Sequence, residues 1–365
     1  MPLIDPAAAG VSLAEWTEAT ASCHLLRVAR VVDETHDARS IVFEIPPALR
    51  EEFAYESGQF VSFKIPYEGK IFVRSYSISS SPHTDSEFKI TAKRVDDGRI
   101  SNWLNDRVGP GDELAVVPPA GLFVLGRQQR GIVLFAGGSG ITPVVSIIKT
   151  ALATTQRSVD LVYANRDERS VIFRKEIGSL AEKHADRFRT TYYFDDSDGF
   201  ITSDRVRGHV VDDLERDFYM CGPAPFMDVI ESTLHELGVE GRGKVHIERF
   251  VSPHDPGAAV EAVEVATDEI VEGTPDAITI VLDGAVHDVP YREGDSVLAA
   301  ARRAGLDPPF SCEEGYCSCC MAKLADGDVV MKQNDCLTPD LLKEGWVLTC
   351  QARCHSRSVR IEYPD

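Results

Sequence analysis

Seven of the nine cysteines fall between Cys312 and Cys354, and the run Cys312, Cys317, Cys320 is followed by Cys350 after a gap of 29 residues. Four thiolates at Cys-x4-Cys-x2-Cys…Cys spacing suit a [2Fe–2S] cluster, because one short loop can wrap two irons while a distant sulfur closes the shell. Gly315 relieves backbone crowding inside that loop. The competing reading is a structural zinc ion held by Cys317, Cys320, Cys350 and Cys354, whose paired spacing suits tetrahedral ligation. Cys319 and Cys354 compete with their neighbours as ligands, and Cys336 has no assigned task. In a reducing compartment such a cluster points to metal rather than to disulfides.

Two glycine-bearing turns offer a different chemistry. Gly137-Gly138-Ser139-Gly140 follows an apolar run, and Ile141-Thr142-Pro143 opens a helix. Glycines let a backbone approach a pyrophosphate, and a helix N-terminus attracts anions, so this turn is a candidate dinucleotide site or simply a tight strand–helix connection. Cys221-Gly222-Pro223 ends a later strand of the same series, and two such turns can face one cleft. Earlier, Arg74-Ser75-Tyr76-Ser77 puts Arg74 and Tyr76 on one strand face and Ser75 and Ser77 on the other. An arginine for phosphate, a tyrosine to stack and a serine for a ring nitrogen suit a flavin, although four residues alone also read as an ordinary strand. Gly98-Arg99-Ile100-Ser101 opens a helix able to take a second phosphate, which favours FAD over FMN.

The elements that must position these groups come in three kinds. From about residue 22 to 126, short alternating runs broken by Gly and Pro (Leu25–Val32, Ser40–Ile45, Gln59–Ile65, Ile71–Ser79, Glu87–Val95, Glu113–Val117) predict an antiparallel β-barrel or sandwich, with a barrel expected, and one helix at Ile100–Asn105. Residues 127–250 alternate strand and helix and predict a doubly wound parallel α/β domain. Between Arg249 and Arg292 there is no Lys or Arg, and residues 251–276 read as an acidic linker. From 277 to 365 a hairpin turning at Asp283-Gly284 leads into a helix at Ser296–Ala304, with Asp295 as N-cap and Gly305 as C-cap. Residues 1–21 read as an N-terminal tail.

With 365 residues there is room for about two or three domains. Fifty-eight acidic against 38 basic residues give a formal net charge of −20, which repels nucleic acid and anionic lipid. No apolar run is long enough to span a membrane, and Met1–Trp16 lacks the pattern of a signal peptide, so a cytoplasmic protein is expected.

Taken in order, the segments Arg74–Ser81, Gly98–Leu104, Ala136–Pro143, Tyr163–Phe173, Cys221–Met227, His246–Phe250 and Cys312–Cys320 resemble the ferredoxin-NADP reductase superfamily. The likeness is to members with a plant-type ferredoxin domain of β-grasp fold fused at the C-terminus, and within these to the reductase components of 3-ketosteroid 9α-hydroxylases. It covers the chain beyond the first twenty or so residues. The resemblance implies that NADH, or NADPH, reduces FAD, and that single electrons then pass to a [2Fe–2S] cluster on Cys312, Cys317, Cys320 and Cys350 and on to a terminal oxygenase of Rieske type. Reductases of aromatic-ring or phenylacetyl-CoA oxygenases are alternatives, as are ferric-chelate or quinone reductases with a structural zinc domain. It further implies that Arg74 pairs with FAD phosphate, Tyr76 packs on the isoalloxazine, and Ser77 lies near its N5. Gly98 to Ser101 take phosphate, Gly138 to Thr142 take the nicotinamide-dinucleotide pyrophosphate, and Cys221 with Gly222 lies by the nicotinamide. Glu248 and Phe250 close over the flavin. Ser75, Lys93, Ile100, Gly137, Ser139, Gly140 and Pro223 complete the candidate cofactor set. In the loop after the strand Leu161–Ala164, Arg166 or Arg169 could receive a 2′-phosphate that Asp167 and Glu168 would oppose, and NADH is expected because the resembled reductases use it.

Overall fold

The computed structural model describes residues 4–239, 244–250, 263–267, 273–315, 317–334, 336–337 and 339–364. By contacts, residues 1–72 and 76–250 form one compact unit, and residues 73–75 and 251–365 a second. The expected barrel and α/β domains therefore share a unit.

Along the chain a short helix α1 (Leu13–Ala19) precedes the barrel strands β1 (His24–Thr35), β2 (Ala38–Glu44), β3 (Phe60–Tyr67), β4 (Lys70–Ser77) and β5 (Phe88–Lys93). Helix α2 (Arg99–Arg107) and strand β6 (Glu113–Ala120) follow. Period-two patterning decides the inside: Leu26 and Val28 are buried while Leu25 and Arg27 are exposed. The sheet runs β4-β3-β6-β1-β2-β5, and an antiparallel bridge between Ile78 and Ile90 joins its edges into a barrel. The stretch read as a tail is part of this packing. Ile4 lies against the barrel core, the Gly69 amide donates to the Ala9 carbonyl (2.6 Å), and Lys64 Nζ donates to the Ala19 carbonyl (2.7 Å).

The α/β half runs β7 (Ile132–Gly137), α3 (Ile141–Thr154), β8 (Val159–Asn165), α4 (Arg174–Lys183), β9 (Phe188–Phe194), α5 (Ser203–Val210), β10 (Asp217–Gly222), α6 (Ala224–Glu236) and β11 (Val245–Arg249). Its five strands are all parallel in the order β11-β10-β7-β8-β9. Alternate residues of β7 serve two cores. Ile132, Leu134 and Ala136 pack with α3, and Val133 and Phe135 pack with residues of α5 and α6. Both faces are covered, which is why the strand reads as continuously apolar. Barrel and α/β half are clasped at Ser79–Ser81. Ser146 Oγ donates to the Ser80 carbonyl (2.6 Å), and the buried Lys149 ammonium reaches the Ser79 carbonyl, Asp85 and Glu176 at 3.0, 2.6 and 2.8 Å. A buried cation survives only when paired in this way.

The second unit contains β12 (Val263–Ala266), β13 (Ala277–Leu282), β14 (Ala285–Pro290), α7 (Val297–Arg303), β15 (Met321–Asp326), β16 (Asp328–Met331), α8 (Pro339–Lys343), β17 (Trp346–Leu348), β18 (Ala352–Cys354) and β19 (Arg360–Glu362). One sheet runs β14-β13-β19-β15-β17 with β13 parallel to β19, and a second runs β12-β16-β18. Of the expected acidic linker, residues 251–262 and 268–272 lie outside the described residues, but Val263–Ala266 is a strand paired with Asp328–Met331. Asp283 and Gly284 take positive φ at the hairpin turn. Ser296, not Asp295, caps α7: its hydroxyl accepts from the Ala299 amide, while Asp295 pairs with Arg303. The helix closes with Gly305 at φ +82 and the amide of Leu306 bonded to the Ala301 carbonyl. No helix among the described residues is long and apolar enough to cross a membrane.

Candidate active site and metal centre

The order β10-β7-β8 puts the chain's reversal point at the carboxyl ends of β7 and β10, where open parallel sheets hold ligands. Here the two glycine turns meet backbone to backbone. A Cβ on Gly140 would lie 2.0 Å from the Cys221 carbonyl oxygen, one on Gly137 2.8 Å from Pro223, and one on Gly222 3.0 Å from the Gly137 backbone. Glycine is required on both sides of that contact. Tyr163 donates to the Gly138 carbonyl (3.0 Å) and Thr142 to the Ser139 carbonyl (3.0 Å), which fix the turn. No side chain caps α3, so its first turn faces the cleft with the positive end of the helix dipole.

On β4, Arg74, Ser75 and Tyr76 are partly buried and Ser77 is buried. Arg74 donates to the Val73 carbonyl, and the Tyr76 ring meets Phe63 edge-on at 5.8 Å. Gly98 precedes α2, where a Cβ would collide with Ser101 Oγ and Val95. Ile100 is a barrel core residue, so its amide, not its side chain, is what it can offer a ligand.

Cys221 of β10 lies beside Glu248 of β11 in the parallel register. Burial, and then the Glu248 charge, push the Cys221 thiol well above its ordinary range, so it stays protonated. Burial pushes the Glu248 carboxyl up to about 8. No hydrogen bond or ion pair holds that carboxyl among the described residues. Phe250, just past β11, is 44% exposed.

The loop after β8 departs from expectation in its partners. The Asp167 carboxylate accepts from the amide and hydroxyl of Ser170, and Glu168 pairs with Arg174. Neither faces Arg166 as a partner. The carboxylate that does is Asp37, from the turn between β1 and β2, which accepts from Arg166 Nη2 at 3.1 Å and lies 3.8 Å from Lys93 Nζ. Lys93 in turn reaches within 3.7 Å of where a Gly138 Cβ would be. Among the described residues Asn165, buried at the end of β8, has no well-formed hydrogen bond on either side-chain amide atom, though its side chain acts on the neighbouring Tyr163 hydroxyl. A buried amide ending an apolar strand was a signal available in the sequence. Asp37 gave none, because its contact joins residues 129 apart.

In the second unit, the Cys350 thiol is held above its ordinary range by its hydrogen bond with Cys320, by burial, and by the charges of Cys320, Cys312 and Cys317. The four expected thiols are thus mutual neighbours. Sulfur also gathers backbone donors: the Cys312 amide donates to Cys317 Sγ (3.4 Å) and the Glu314 amide to Cys312 Sγ (3.3 Å). Gly315 has φ +81, and a Cβ there would lie 2.9 Å from the Gln333 carbonyl. Cys319 interacts with Cys317, and Cys336 donates to the Gly315 carbonyl (3.5 Å). Cys354 sits elsewhere, on β18, its amide bonded to the Tyr291 hydroxyl. Among the described residues no three His, Cys, Asp or Glu side chains converge on a single ion.

Family models match three stretches: an oxidoreductase FAD-binding domain at residues 25–125, an oxidoreductase NAD-binding domain at 134–232, and a 2Fe-2S iron-sulfur cluster binding domain at 280–355. The chain is 40% identical over 342 residues to the ferredoxin reductase component of 3-ketosteroid-9-alpha-monooxygenase from Rhodococcus rhodochrous, covering 93% of this chain and 96% of that one. The chain belongs to this family of flavin- and [2Fe–2S]-dependent reductases, within the ferredoxin-NADP reductase superfamily.

The reductase is also 33% identical to a component of 1,2-phenylacetyl-CoA epoxidase from Escherichia coli (strain K12), over 93% of this chain and 97% of that one. Its fold matches phthalate dioxygenase reductase at a TM-score of 0.58 and 24% identity, over 94% of this chain and 98% of that one. It is an NAD(P)H-dependent oxidoreductase whose cofactors are FAD, NADH and a [2Fe–2S] cluster. Its own residues fit these groups. The first turn of α3 is left uncapped by any side chain with Lys93 Nζ beside Gly138, which suits an anionic pyrophosphate, and four neighbouring thiols need a positive centre before all can ionise.

Proposed function

We propose that this reductase carries electrons from NADH to the terminal oxygenase of a multicomponent monooxygenase, a Rieske-type oxygenase acting on a steroid ring. The observation that supports this best is the 40% identity to a 3-ketosteroid-9-alpha-monooxygenase reductase along nearly the full length of both chains. The reductase is proposed to work in the cytoplasm, where thiols stay reduced for cluster ligation. Its net charge of −20 favours a basic docking face on the partner.

FAD and the cluster, when bound, supply the change from hydride transfer to single-electron transfer. The chain's work is to hold and align them. In this reading Arg74 pairs with flavin phosphate, Tyr76 covers one ring face, Ser77 stands beside the ring, and the amides of Gly98–Ser101 take the second phosphate. Gly137, Gly138, Ser139, Gly140 and Thr142 cradle the nicotinamide-dinucleotide pyrophosphate with Lys93 as the counter-cation, and Cys221, Gly222 and Pro223 wall the nicotinamide. Cys221 remains a neutral thiol, and Glu248 keeps its proton near neutrality, so neither adds charge beside the reacting carbon. Phe250 covers the remaining face. Cys312, Cys317, Cys320 and Cys350 ligate the cluster.

The test is reconstitution with NADH and purified oxygenases of the steroid, aromatic-ring and phenylacetyl-CoA classes. The steroid oxygenase should form product in proportion to NADH consumed. Product only with another class would reassign the partner. NADH oxidation supported by ferric chelates or quinones and by none of the oxygenases would overturn the reading.

A further inference from the structure

The adenosine ribose of a dinucleotide is read at the end of the strand next to the phosphate turn, where an acid selects a free 2′-hydroxyl or an arginine accepts a 2′-phosphate. In this chain that strand is β8, paired with β7 so that Ala164 stands opposite Gly137. Asn165 and Arg166 come first at its end, and the acids that follow, Asp167 and Glu168, are bonded to Ser170 and Arg174 rather than to Arg166, although the Asp167 charge also acts on Lys93. Arg166 alone would make the site ready for a 2′-phosphate.

A carboxylate nevertheless stands there. Asp37 comes from the barrel, and its Oδ2 meets Arg166 Nη2 at 3.1 Å and Lys93 Nζ at 3.8 Å. It is held in place by Thr35, whose hydroxyl donates to Oδ1 (2.8 Å), and by the Arg94 amide on its carbonyl (2.8 Å). His36 lies 3.7 Å from the same Oδ2. The Asp37 side chain is 14% exposed, so solvent screens it weakly, while Arg166 is 60% exposed with its bonded end turned to Asp37 and, at 3.4 Å, Ser170 Oγ. We propose that Asp37, supplied from the barrel, is the residue that makes this reductase select NADH over NADPH. It occupies the guanidinium that a 2′-phosphate would need and sets a like charge against that phosphate, whereas a 2′-hydroxyl can donate to it. This rests on the NADH-reductase reading above and adds to it the residue that chooses the coenzyme.

The experiment uses the full flavin-loaded chain and the variants Asp37→Asn, Asp37→Ser, and Asp37→Asn with Arg166→Gln. NADH and NADPH oxidation are followed with ferricyanide as acceptor, and calorimetry measures binding of 5′-AMP and of adenosine 2′,5′-bisphosphate. For Asp37→Asn the ratio of kcat/KM for NADPH to that for NADH should rise about tenfold or more, through KM, and bisphosphate affinity should gain on 5′-AMP affinity by a similar factor. Asp37→Ser should move both ratios the same way, and Arg166→Gln should cancel the gain. Ratios that stay within twofold of wild type, or equal losses with both coenzymes, would make Asp37 a purely structural clasp and overturn the proposal while leaving the reductase reading intact. A wild type that prefers NADPH also overturns it. A wild type that oxidises neither coenzyme overturns both readings.

Discussion

Between the carboxyl ends of β7 and β10 the chain makes a site by withholding side chains, whereas between Cys312 and Cys350 it makes one by supplying them. In the first region Gly137, Gly140 and Gly222 bring two turns into backbone contact that no Cβ would permit. In the second, three thiols of a loop that takes positive φ at Glu313, Gly315 and Ser318 gather with Cys350 from beyond β17. A non-glycine residue in that conformation is strained, and such strain persists where the surroundings over-determine it. The nucleotide cleft should therefore fail by steric crowding, gradually and through affinity. The cysteine loop should fail by loss of a ligand, abruptly and through the metal.

The largest effect is expected from the loop. Cys320→Ser should lose most of its iron and its NADH-dependent cytochrome c reduction, while ferricyanide reduction persists; iron analysis and the two assays check this. If cytochrome c reduction survived, ligation by Cys320 would be wrong. Next, Gly140→Ala should lower kcat/KM for NADH by about tenfold to a hundredfold, since forcing a methyl into a packed site typically costs about 1–3 kcal/mol. The visible bands of its cluster should not change. Equal damage to both would erase the contrast between the two regions.

A third test exploits Glu248. Its carboxyl titrates at about 8 in the folded protein against an ordinary 4.5. The folded state thus holds a proton that the unfolded chain has released, and the stability this contributes is present in full below pH 4.5 and lost as pH rises through about 8. Wild type should lose melting temperature between about pH 4.5 and pH 8 and level off above, and Glu248→Gln should lose less over that range. Parallel curves would show that Glu248 is not the group responsible. The smallest effect belongs to Cys354→Ala, which should keep its full iron content and cost about 1 kcal/mol of stability from lost packing. Iron loss in that variant would revive the tetrahedral zinc-type pairing.

Much of this contrast was legible in the sequence because its signals are local. Period-two runs located the barrel strands, the apolar run at 131–136 located the central parallel strand, and Asp283-Gly284 located the hairpin. The cysteine spacing named a ligand set whose members are neighbours in the fold, and Cys354 separated from them once β18 formed. What was missed depends on tertiary contact or on weak patterning. α5 is short and polar, with only Val206 and Val210 turned inward. Ser296 won the cap over Asp295 because Arg303 claims that carboxylate. Val263–Ala266 became a strand through its partner Asp328–Met331, which no local acidic composition reveals. Asp37 meets Arg166 only because the barrel and the parallel sheet fold into one unit.

Rapid anaerobic mixing with NADH, followed at flavin and cluster wavelengths in wild type and Cys350→Ser, tests most directly whether one chain relays electrons from dinucleotide to flavin to iron. The account predicts that the flavin bands bleach first and the cluster bands second in wild type, and that only the first phase remains in the variant. Cluster bleaching that precedes the flavin phase, or that persists in Cys350→Ser at the wild-type rate, would contradict it.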